Sequence, residues 1–165
     1  AAARTAGVPA GAAAEGLARL VLPGMRWDVS ERGGVTVVND AYNANPQSMR
    51  AVLRTFMQAP CAGRRIAVLG DMLELGAHTE VLHRELGCVV AELAPDALVA
   101  VGFDTARYVA DEAVKRGYPA ARVTCCADAA DAAATVSALA RAGDSVLLKA
   151  SRGMRLERIL DAWTV

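Results

Sequence analysis

The sequence predicts an α/β fold, an open Rossmann-like sandwich whose mainly parallel sheet carries helices on both faces and begins with an N-terminal β-hairpin. Its 165 residues fit one ordinary domain. After Val38, short apolar runs alternate with segments of helical periodicity, and two strand-like runs flank Gly33-Gly34. Strands that alternate with helices of this length require right-handed crossovers, which produce a parallel sheet covered on both faces.

The first predicted element is a helix over residues 9–20, an Ala-rich segment that ends before Leu22-Pro23-Gly24. Pro-Gly is a strong punctuator of local structure. A lone helix upstream of such a boundary has no partner of its own to pack against. We therefore interpret residues 1–22 as the tail of a larger preceding unit, and residues 23–165 as the domain proper.

The hairpin and the helix after it have clear local patterns. Strand-like runs at residues 27–31 and 35–38 surround the paired glycines and predict a β-hairpin. A helix then opens at Asn45-Pro46, with Asn as the cap and Pro in the first turn. Its apolar face at i, i+3, i+4, i+7 and i+8 consists of Met49, Val52, Leu53, Phe56 and Met57.

The rest of the chain continues the alternation. The predicted strands are residues 66–69, 97–101, 122–125 and 145–148. Helices are predicted around Leu82 to Leu93, over residues 104–116 and over residues 128–140. A closing amphipathic helix is predicted from the spacing of Leu156, Ile159, Leu160 and Trp163.

Composition excludes several classes of function. Eighteen basic and eighteen acidic residues give a formal net charge of +0, without the basic excess that binding of a nucleic-acid backbone uses. No apolar run approaches the roughly 20 residues that span a bilayer, and the Ala-rich start lacks the features of a signal peptide. We expect a cytoplasmic protein with no nucleic-acid or membrane partner.

Cysteine and histidine spacing does not indicate a metal site. Cys61, Cys88, Cys125 and Cys126 form no C-x-x-C pair, and buried free thiols are the expected state. His78 and His83 lie five residues apart, so they do not share a helix face as zinc-binding pairs at i, i+4 do. Capping and packing are the roles expected for both histidines.

Polar residues follow every predicted strand, at the edge where ligands gather in open parallel sheets. Residues 40–46 supply a carboxylate, a phenol and amides, and Asp40 can accept two ribose hydroxyls, whereas Asn45 is explained by capping alone. Lys149, Ser151 and Arg152 precede a predicted helix N-terminus, which favours an anion; solvated surface charges are the alternative. For Gly102, Asp104 and Asp128 we expect only turn and capping roles.

Neither lysine of the chain can complete a Walker phosphate-binding loop. Lys115 is followed by Arg116-Gly117, and Lys149 by Ala150-Ser151. If the domain is part of an ATP-using enzyme, the loop that binds the triphosphate lies outside this chain. The chain alone is therefore expected neither to hydrolyse ATP nor to catalyse an ATP-dependent ligation.

Three motifs, in order, resemble the C-terminal domain of the Mur ligases, and within that family the subtype that joins D-alanyl-D-alanine to UDP-N-acetylmuramoyl-tripeptide. The motifs are Asp40-Ala41-Tyr42-Asn43-Ala44-Asn45-Pro46-Gln47-Ser48-Met49, Val68-Leu69-Gly70-Asp71-Met72-Leu73-Glu74-Leu75-Gly76 with His83 following, and Leu148-Lys149-Ala150-Ser151-Arg152-Gly153-Met154. The resemblance extends from Pro23 to Trp163. It implies a cytoplasmic ligase of peptidoglycan precursor synthesis that uses ATP and Mg²⁺, bound mainly by a central ATPase domain whose last helix residues 1–22 resemble.

The resemblance also implies roles for individual residues. Arg26 matches an arginine that reaches the ATP phosphates, Asp40 an acid near the ribose, and Tyr42, Asn43 and Asn45 a loop that faces the nucleotide. The D-alanyl-D-alanine site is implied at Asp71, Lys149, Ser151 and Arg152. The resemblance implies no metal ligand in this chain and no complete set of catalytic residues. Ala150 stands where the family has glycine.

Two alternatives remain open. One is another amide ligase of the same superfamily with a different amino substrate. The other is a stand-alone α/β module that binds a ligand through the same strand-end loops without catalysis.

Overall fold

The computed structural model describes residues 7–18 and 24–163. It contains the helices α1 (Ala10–Ala18), α2 (Pro46–Gln58), α3 (Thr79–Leu93), α4 (Ala110–Lys115), α5 (Ala129–Leu139) and α6 (Arg158–Ala162). The strands are β1 (Asp28–Arg32), β2 (Val35–Asn39), β3 (Arg65–Gly70), β4 (Ala97–Val101), β5 (Val123–Cys126) and β6 (Ser145–Lys149). The α/β fold class is confirmed.

The six strands form one sheet in the order β1-β2-β6-β3-β4-β5. β1 and β2 form the predicted antiparallel hairpin, and every other pair is parallel. Gly33 and Gly34 both have positive φ at the turn, 53° and 77°, the backbone geometry that a tight hairpin turn requires. The last strand, β6, is central and lies between β2 and β3.

The sheet is covered on both faces, as the fold class requires. Alternate residues of β3 show the division, because Ile66 and Val68 belong to one apolar cluster, and Ala67 and Leu69 to the other. The first cluster includes residues of α5 and α6, and the second includes residues of α2, α3 and α4. No helix in the described ranges is both long and apolar enough to cross a membrane.

Two helical predictions need correction. Residues 105–109 form a π-helical turn (Thr105–Val109) that leads into the short α4, instead of one regular helix over 104–116. The closing helix is only α6, although Leu156, Ile159 and Trp163 are buried as their spacing predicts. At the start of the chain α1 lies inside the predicted 9–20 range, and residues 19 and 20, like Leu22 and Pro23, fall outside the described residues.

The cysteines follow the prediction in part. All four are free, and Cys126 is buried, but Cys125 is exposed and Cys61 and Cys88 are half-buried, so the expectation of uniformly buried thiols is wrong. These residues lie on β5, on α3 or in the loop before β3, where only one of the four side chains points fully into the core.

Candidate functional site

The candidate site forms where the loops after β2, β6 and β3 meet at the carboxyl edge of the sheet. Asn39 pairs with Leu148, and Leu69 pairs with Lys149, so the two neighbours of β6 end level with it. The backbone N–H of Asp40 continues this pairing by donating to Leu148 O at 2.9 Å. Strand order therefore brings Asp40 next to Lys149, although 109 positions separate them.

Lys149 is a buried cation in an ion pair with Asp40. Its Nζ donates to Asp40 Oδ2 at 2.6 Å, to Asn43 O at 2.9 Å and to Asp40 O at 3.4 Å. The Lys149 side chain is 2% exposed and that of Asp40 is 13% exposed. The alternative of a solvated surface charge is wrong for Lys149, because packing at the central strand removes its ammonium from solvent.

Asp40 also holds the segment before the hairpin. Its Oδ1 accepts the backbone N–H of Trp27 at 2.7 Å, and Met25 O accepts the N–H of Tyr42 at 3.1 Å. Met25 and Trp27 both have positive φ, 62° and 51°. Bulky residues rarely adopt this conformation, so the hydrogen bonds to the loop after β2 stabilise a strained backbone.

A cleft of about 410 Å³ opens over this ion pair. It is lined by Met25, Arg26, Trp27, Asp40, Tyr42, Asn43, Asn45, Ser48, Val52 and Lys149. The structure therefore brings together all five residues that were predicted to bind nucleotide. The Arg26 guanidinium lies over the Tyr42 ring, 4.2 Å from its centroid, which places a cation and an aromatic face at the rim.

The two asparagines of the cleft have different local roles. Asn45 caps α2, with its side chain accepting the Ser48 N–H at 2.9 Å while the Ser48 Oγ accepts the Asn45 N–H at 3.1 Å. This is the capping role that the sequence predicts. The Asn43 Oδ1 accepts the neighbouring N–H of Ala44 at 2.8 Å, while the Asn43 carbonyl oxygen accepts a hydrogen bond from Lys149.

Ser151 is buried and joins three loops. Its N–H donates to Asp71 O at 3.1 Å, and its Oγ accepts the Leu73 N–H at 2.9 Å while lying 3.5 Å from Ala44 O. The preceding residue, Ala150, has a negative φ, and its side chain is fully buried against Gly70. A Cβ added to Gly70 would lie only 2.7 Å from the Ala150 Cβ. The alanine is thus accommodated without left-handed backbone.

Asp71 caps the helical segment after β4. Its Oδ1 accepts the Thr105 N–H at 2.7 Å and its Oδ2 accepts the Phe103 N–H at 3.1 Å. The expectation that Asp104 caps this segment is wrong, since its side chain makes no capping bond and the cap comes from a neighbouring strand. Asp128 does cap α5, by accepting the N–H groups of Ala130 and Asp131.

Arg152 is an exposed residue of the loop after β6. Its side chain is 54% exposed, pairs with Glu157 at 2.6 Å and lies 3.2 Å from Met25 Sδ. The prediction that a helix begins directly after this loop is wrong. Residues 152–154 form a 3₁₀ turn, and α6 begins only at Arg158. A second cavity, of about 430 Å³, is lined by Arg152, Gly153, Arg155, Glu157 and Arg158.

Several residues of these two cavities were not predicted from the sequence. Met25, Trp27, Ser48 and Val52 line the cleft, and Arg155 and Arg158 line the cavity beside Arg152. Periodicity gives no signal for Met25 or Trp27, because their position depends on a positive φ. The Arg152, Arg155, Arg158 spacing could have indicated a local cluster of positive charge.

Neither cavity contains a built metal site. Within residues 7–18 and 24–163, no three His, Cys, Asp or Glu side chains are grouped so that they could hold an ion. His83 is fully buried, with Nε2 accepting the Met72 N–H at 3.1 Å and Nδ1 lying 2.8 Å from Thr79 O. This is the packing role expected for it, whereas His78 makes no capping bond.

These features define a parallel α/β domain with a polar cleft at the carboxyl edge of its sheet, the class in which strand-end loops bind ligands. The sequence profile described as "Mur ligase, glutamate ligase domain" matches residues 25–152. The chain therefore belongs to the Mur ligase family.

Relatives within this family are similar over most of the chain. A UDP-N-acetylmuramoyl-tripeptide--D-alanyl-D-alanine ligase of Bacillus subtilis is 38% identical over 149 residues, covering 90% of this chain and 32% of the relative. The ligase of the same name from Mycobacterium tuberculosis (strain CDC 1551 / Oshkosh) is 38% identical over 156 residues, covering 83% and 30%. This chain thus spans about a third of the length of these relatives.

Solved structures agree with the sequence relatives. MurF ligase from Thermotoga maritima, in complex with ADP, superposes with a TM-score of 0.76 at 28% identity, covering 98% of this chain and 35% of that one. MurF from Acinetobacter baumannii gives 0.76 at 29% identity, covering 96% and 34%. A folylpolyglutamate synthase of M. tuberculosis, at 18% identity and a TM-score of 0.59, shares the fold.

Proposed function

We propose that this chain is the C-terminal domain of an ATP-dependent amide ligase that adds D-alanyl-D-alanine to UDP-N-acetylmuramoyl-tripeptide in the cytoplasm. The observation that carries the proposal is the cleft over Asp40 and Lys149, which gathers every residue predicted to bind nucleotide in a chain similar to such ligases. Residues 1–22 would then end a central domain that supplies the phosphate cradle.

The cleft suits the nucleotide. The Asp40 carboxylate can accept ribose hydroxyls, and the Arg26 guanidinium at the rim can meet phosphate oxygens. When bound, ATP supplies the phosphoryl group that activates the tripeptide carboxylate. The described residues of this chain offer no cluster for Mg²⁺, so the ion belongs to the preceding domains in this proposal.

The amino substrate is assigned to the Arg152 side of the same edge. Arg152 presents an exposed guanidinium beside a cavity that also contains Arg155 and Arg158, and guanidinium groups bind carboxylates in a bidentate fashion. Ser151 and Asp71 remain proposed members of this site, through the loop positions that they fix.

The direct test uses the product of the complete reading frame that encodes this chain, with the isolated 165-residue chain as control. We expect the complete product to release phosphate from ATP only when both the tripeptide nucleotide and D-alanyl-D-alanine are present. The isolated chain should be inactive, because neither of its lysines completes a Walker loop. Activity with a different amino component would favour another ligase of the superfamily, and phosphate release by the purified isolated chain would contradict the assignment.

Arg152→Lys tests the carboxylate contact. Lysine keeps the charge and loses the planar fork, so we expect the KM for D-alanyl-D-alanine to rise roughly tenfold with little change in the KM for ATP. Steady-state kinetics with each substrate varied in turn measures both constants. Equal effects on the two substrates would indicate a role in domain closure, and no effect on either would remove Arg152 from the site.

A further inference from the structure

We propose that Lys149 is a positioning residue for the nucleotide half of the site, and that it does not contact the amino substrate. In this inference Lys149 fixes Asp40 and, through Asp40, the backbone of residues 25–27. The inference rests on the proposed function, and it reassigns Lys149 from the D-alanyl-D-alanine site that the motif implies.

The Lys149 ammonium has no hydrogen-bonding capacity left for a ligand. An ammonium carries three protons, and three oxygens surround the Lys149 Nζ. They are Asp40 Oδ2, the backbone carbonyl oxygen of Asp40 and the backbone carbonyl oxygen of Asn43. The Lys149 side chain is also almost fully buried. A substrate carboxylate could reach this group only by displacing Asp40, which would leave a buried carboxylate without its partner.

Asp40, in contrast, retains capacity toward the cleft. An ionised carboxylate has about four lone-pair sites, and Lys149 and the Trp27 N–H use one on each oxygen. Its remaining exposed surface lines the cleft. Two charge-assisted hydrogen bonds thus fix the orientation in which Asp40 meets a ribose.

The same pair controls the position of Arg26. Arg26 lies between Met25 and Trp27, whose backbones are both left-handed and are tied to the loop after β2 by the Trp27 N–H to Asp40 and the Tyr42 N–H to Met25. If Lys149 no longer orients Asp40, the bond to Trp27 weakens and the strained segment can relax. Arg26 would then leave the Tyr42 ring, so one buried lysine positions two groups of the nucleotide cleft.

Kinetics of the complete gene product test the assignment. We expect Lys149→Met to raise the KM for ATP roughly tenfold while the KM for D-alanyl-D-alanine changes by less than about twofold. In the Asp40→Asn background, Lys149→Met should add little further, because Lys149 acts through Asp40 and coupled residues are non-additive. A rise confined to D-alanyl-D-alanine, or full additivity with Asp40→Asn, would overturn the inference.

Arg64→Met is the matched control. Arg64 pairs with the buried Asp144 at the opposite, amino edge of the sheet, at the same 2.6 Å separation. This variant should lose stability while keeping the KM for ATP within about twofold of wild type. If Arg64→Met raises the KM for ATP as much as Lys149→Met does, general destabilisation explains both effects and the inference fails.

Amide hydrogen exchange of the isolated 165-residue chain gives a readout that does not depend on ligase activity. Lys149→Met should lower protection of the Trp27 amide roughly tenfold and leave the Ser48 amide, which is bonded within the α2 cap, unchanged. If Lys149→Met does not fold, the charge-neutral double variant Asp40→Asn with Lys149→Met replaces it, and its Trp27 protection is compared with that of the wild type. Unchanged protection at Trp27 would overturn the positioning role, whereas absence of ligase activity in the wild-type gene product would overturn only the proposed function.

Discussion

At the scale of single residues, a strand-end carboxylate can be an open ligand group or half of a buried ion pair, and Asp40 is both. Its sequence position indicates a ligand group, while its contacts with Lys149 and Trp27 give it a structural role as well. Only 13% of the Asp40 side chain is exposed, which no pattern in the sequence of its loop indicates. The cause is the adjacency of β2 and β6, which places an ammonium beside it.

We therefore expect Asp40→Ala to destabilise the isolated chain by about 3 kcal/mol, the typical cost of leaving a buried charge without its partner. Urea unfolding followed by circular dichroism measures this. The double variant Asp40→Ala with Lys149→Met should recover more than half of the loss, because no buried charge remains. A single variant with wild-type stability would show that water or another group replaces the carboxylate.

Residue roles that depend on neighbours in sequence could be predicted, and those that depend on strand order could not. The Asn45 cap was predicted because its partner Ser48 lies three residues away. Asp71 caps a segment that begins more than 30 residues later, and Lys149 meets Asp40 across 109 positions. No local pattern encodes those pairings, so Lys149 was predicted to face solvent or substrate.

At the scale of elements, the strongest predictions were those in which periodicity and end signals agree. α2 combines an Asn cap, Pro in its first turn and a face whose Met49, Leu53 and Phe56 are buried. α6 has only the periodicity, and the preceding left-handed Arg155 delays its start until Arg158. The π-helical turn at residues 105–109 was missed because its start is fixed by Asp71 from another strand.

The α2 cap allows a quantitative test. Asn45→Ala removes the acceptor for the Ser48 N–H and should lower the free energy of unfolding by about 1 kcal/mol. Asn45→Ser, which can still accept that bond, should lie within a few tenths of a kcal/mol of wild type. Thermal unfolding of both variants provides the measurement, and equal losses in the two would assign the effect to contacts other than the cap.

At the scale of the whole molecule, alternation of strands and helices was enough to predict the fold class but not the order of the strands. Each crossover satisfies the same handedness rule, so sequence patterns leave open which strand lies in the centre. The central strand turns out to be β6, and an ion pair with a buried partner lies at each of its two ends. Lys149 is the last residue of β6 and lines the cleft, whereas Asp144 immediately precedes the strand.

The amino-edge pair predicts how stability depends on pH. Burial alone would raise the pKa of Asp144, but hydrogen bonds from the Arg64 side chain and from the backbone N–H groups of Arg64 and Arg141 outweigh burial and lower that pKa. A carboxyl group whose pKa is lower in the folded state stabilises the protein above its unfolded pKa, about 4, and this contribution is lost as the pH falls through the folded pKa.

We therefore expect the stability difference between wild type and Asp144→Asn to be constant from about pH 6 to 5 and to shrink progressively below about pH 4. Asparagine keeps the size of the side chain but cannot titrate, so the difference between the two unfolding curves isolates this carboxyl group from every other acid in the chain. Urea unfolding at half-unit pH intervals measures it. Because the Arg64–Asp144 pair lies at the edge opposite the cleft, this loss of stability should not involve Lys149 or Asp40. A stability difference between wild type and Asp144→Asn that does not vary with pH would mean that folding leaves the pKa of Asp144 unchanged.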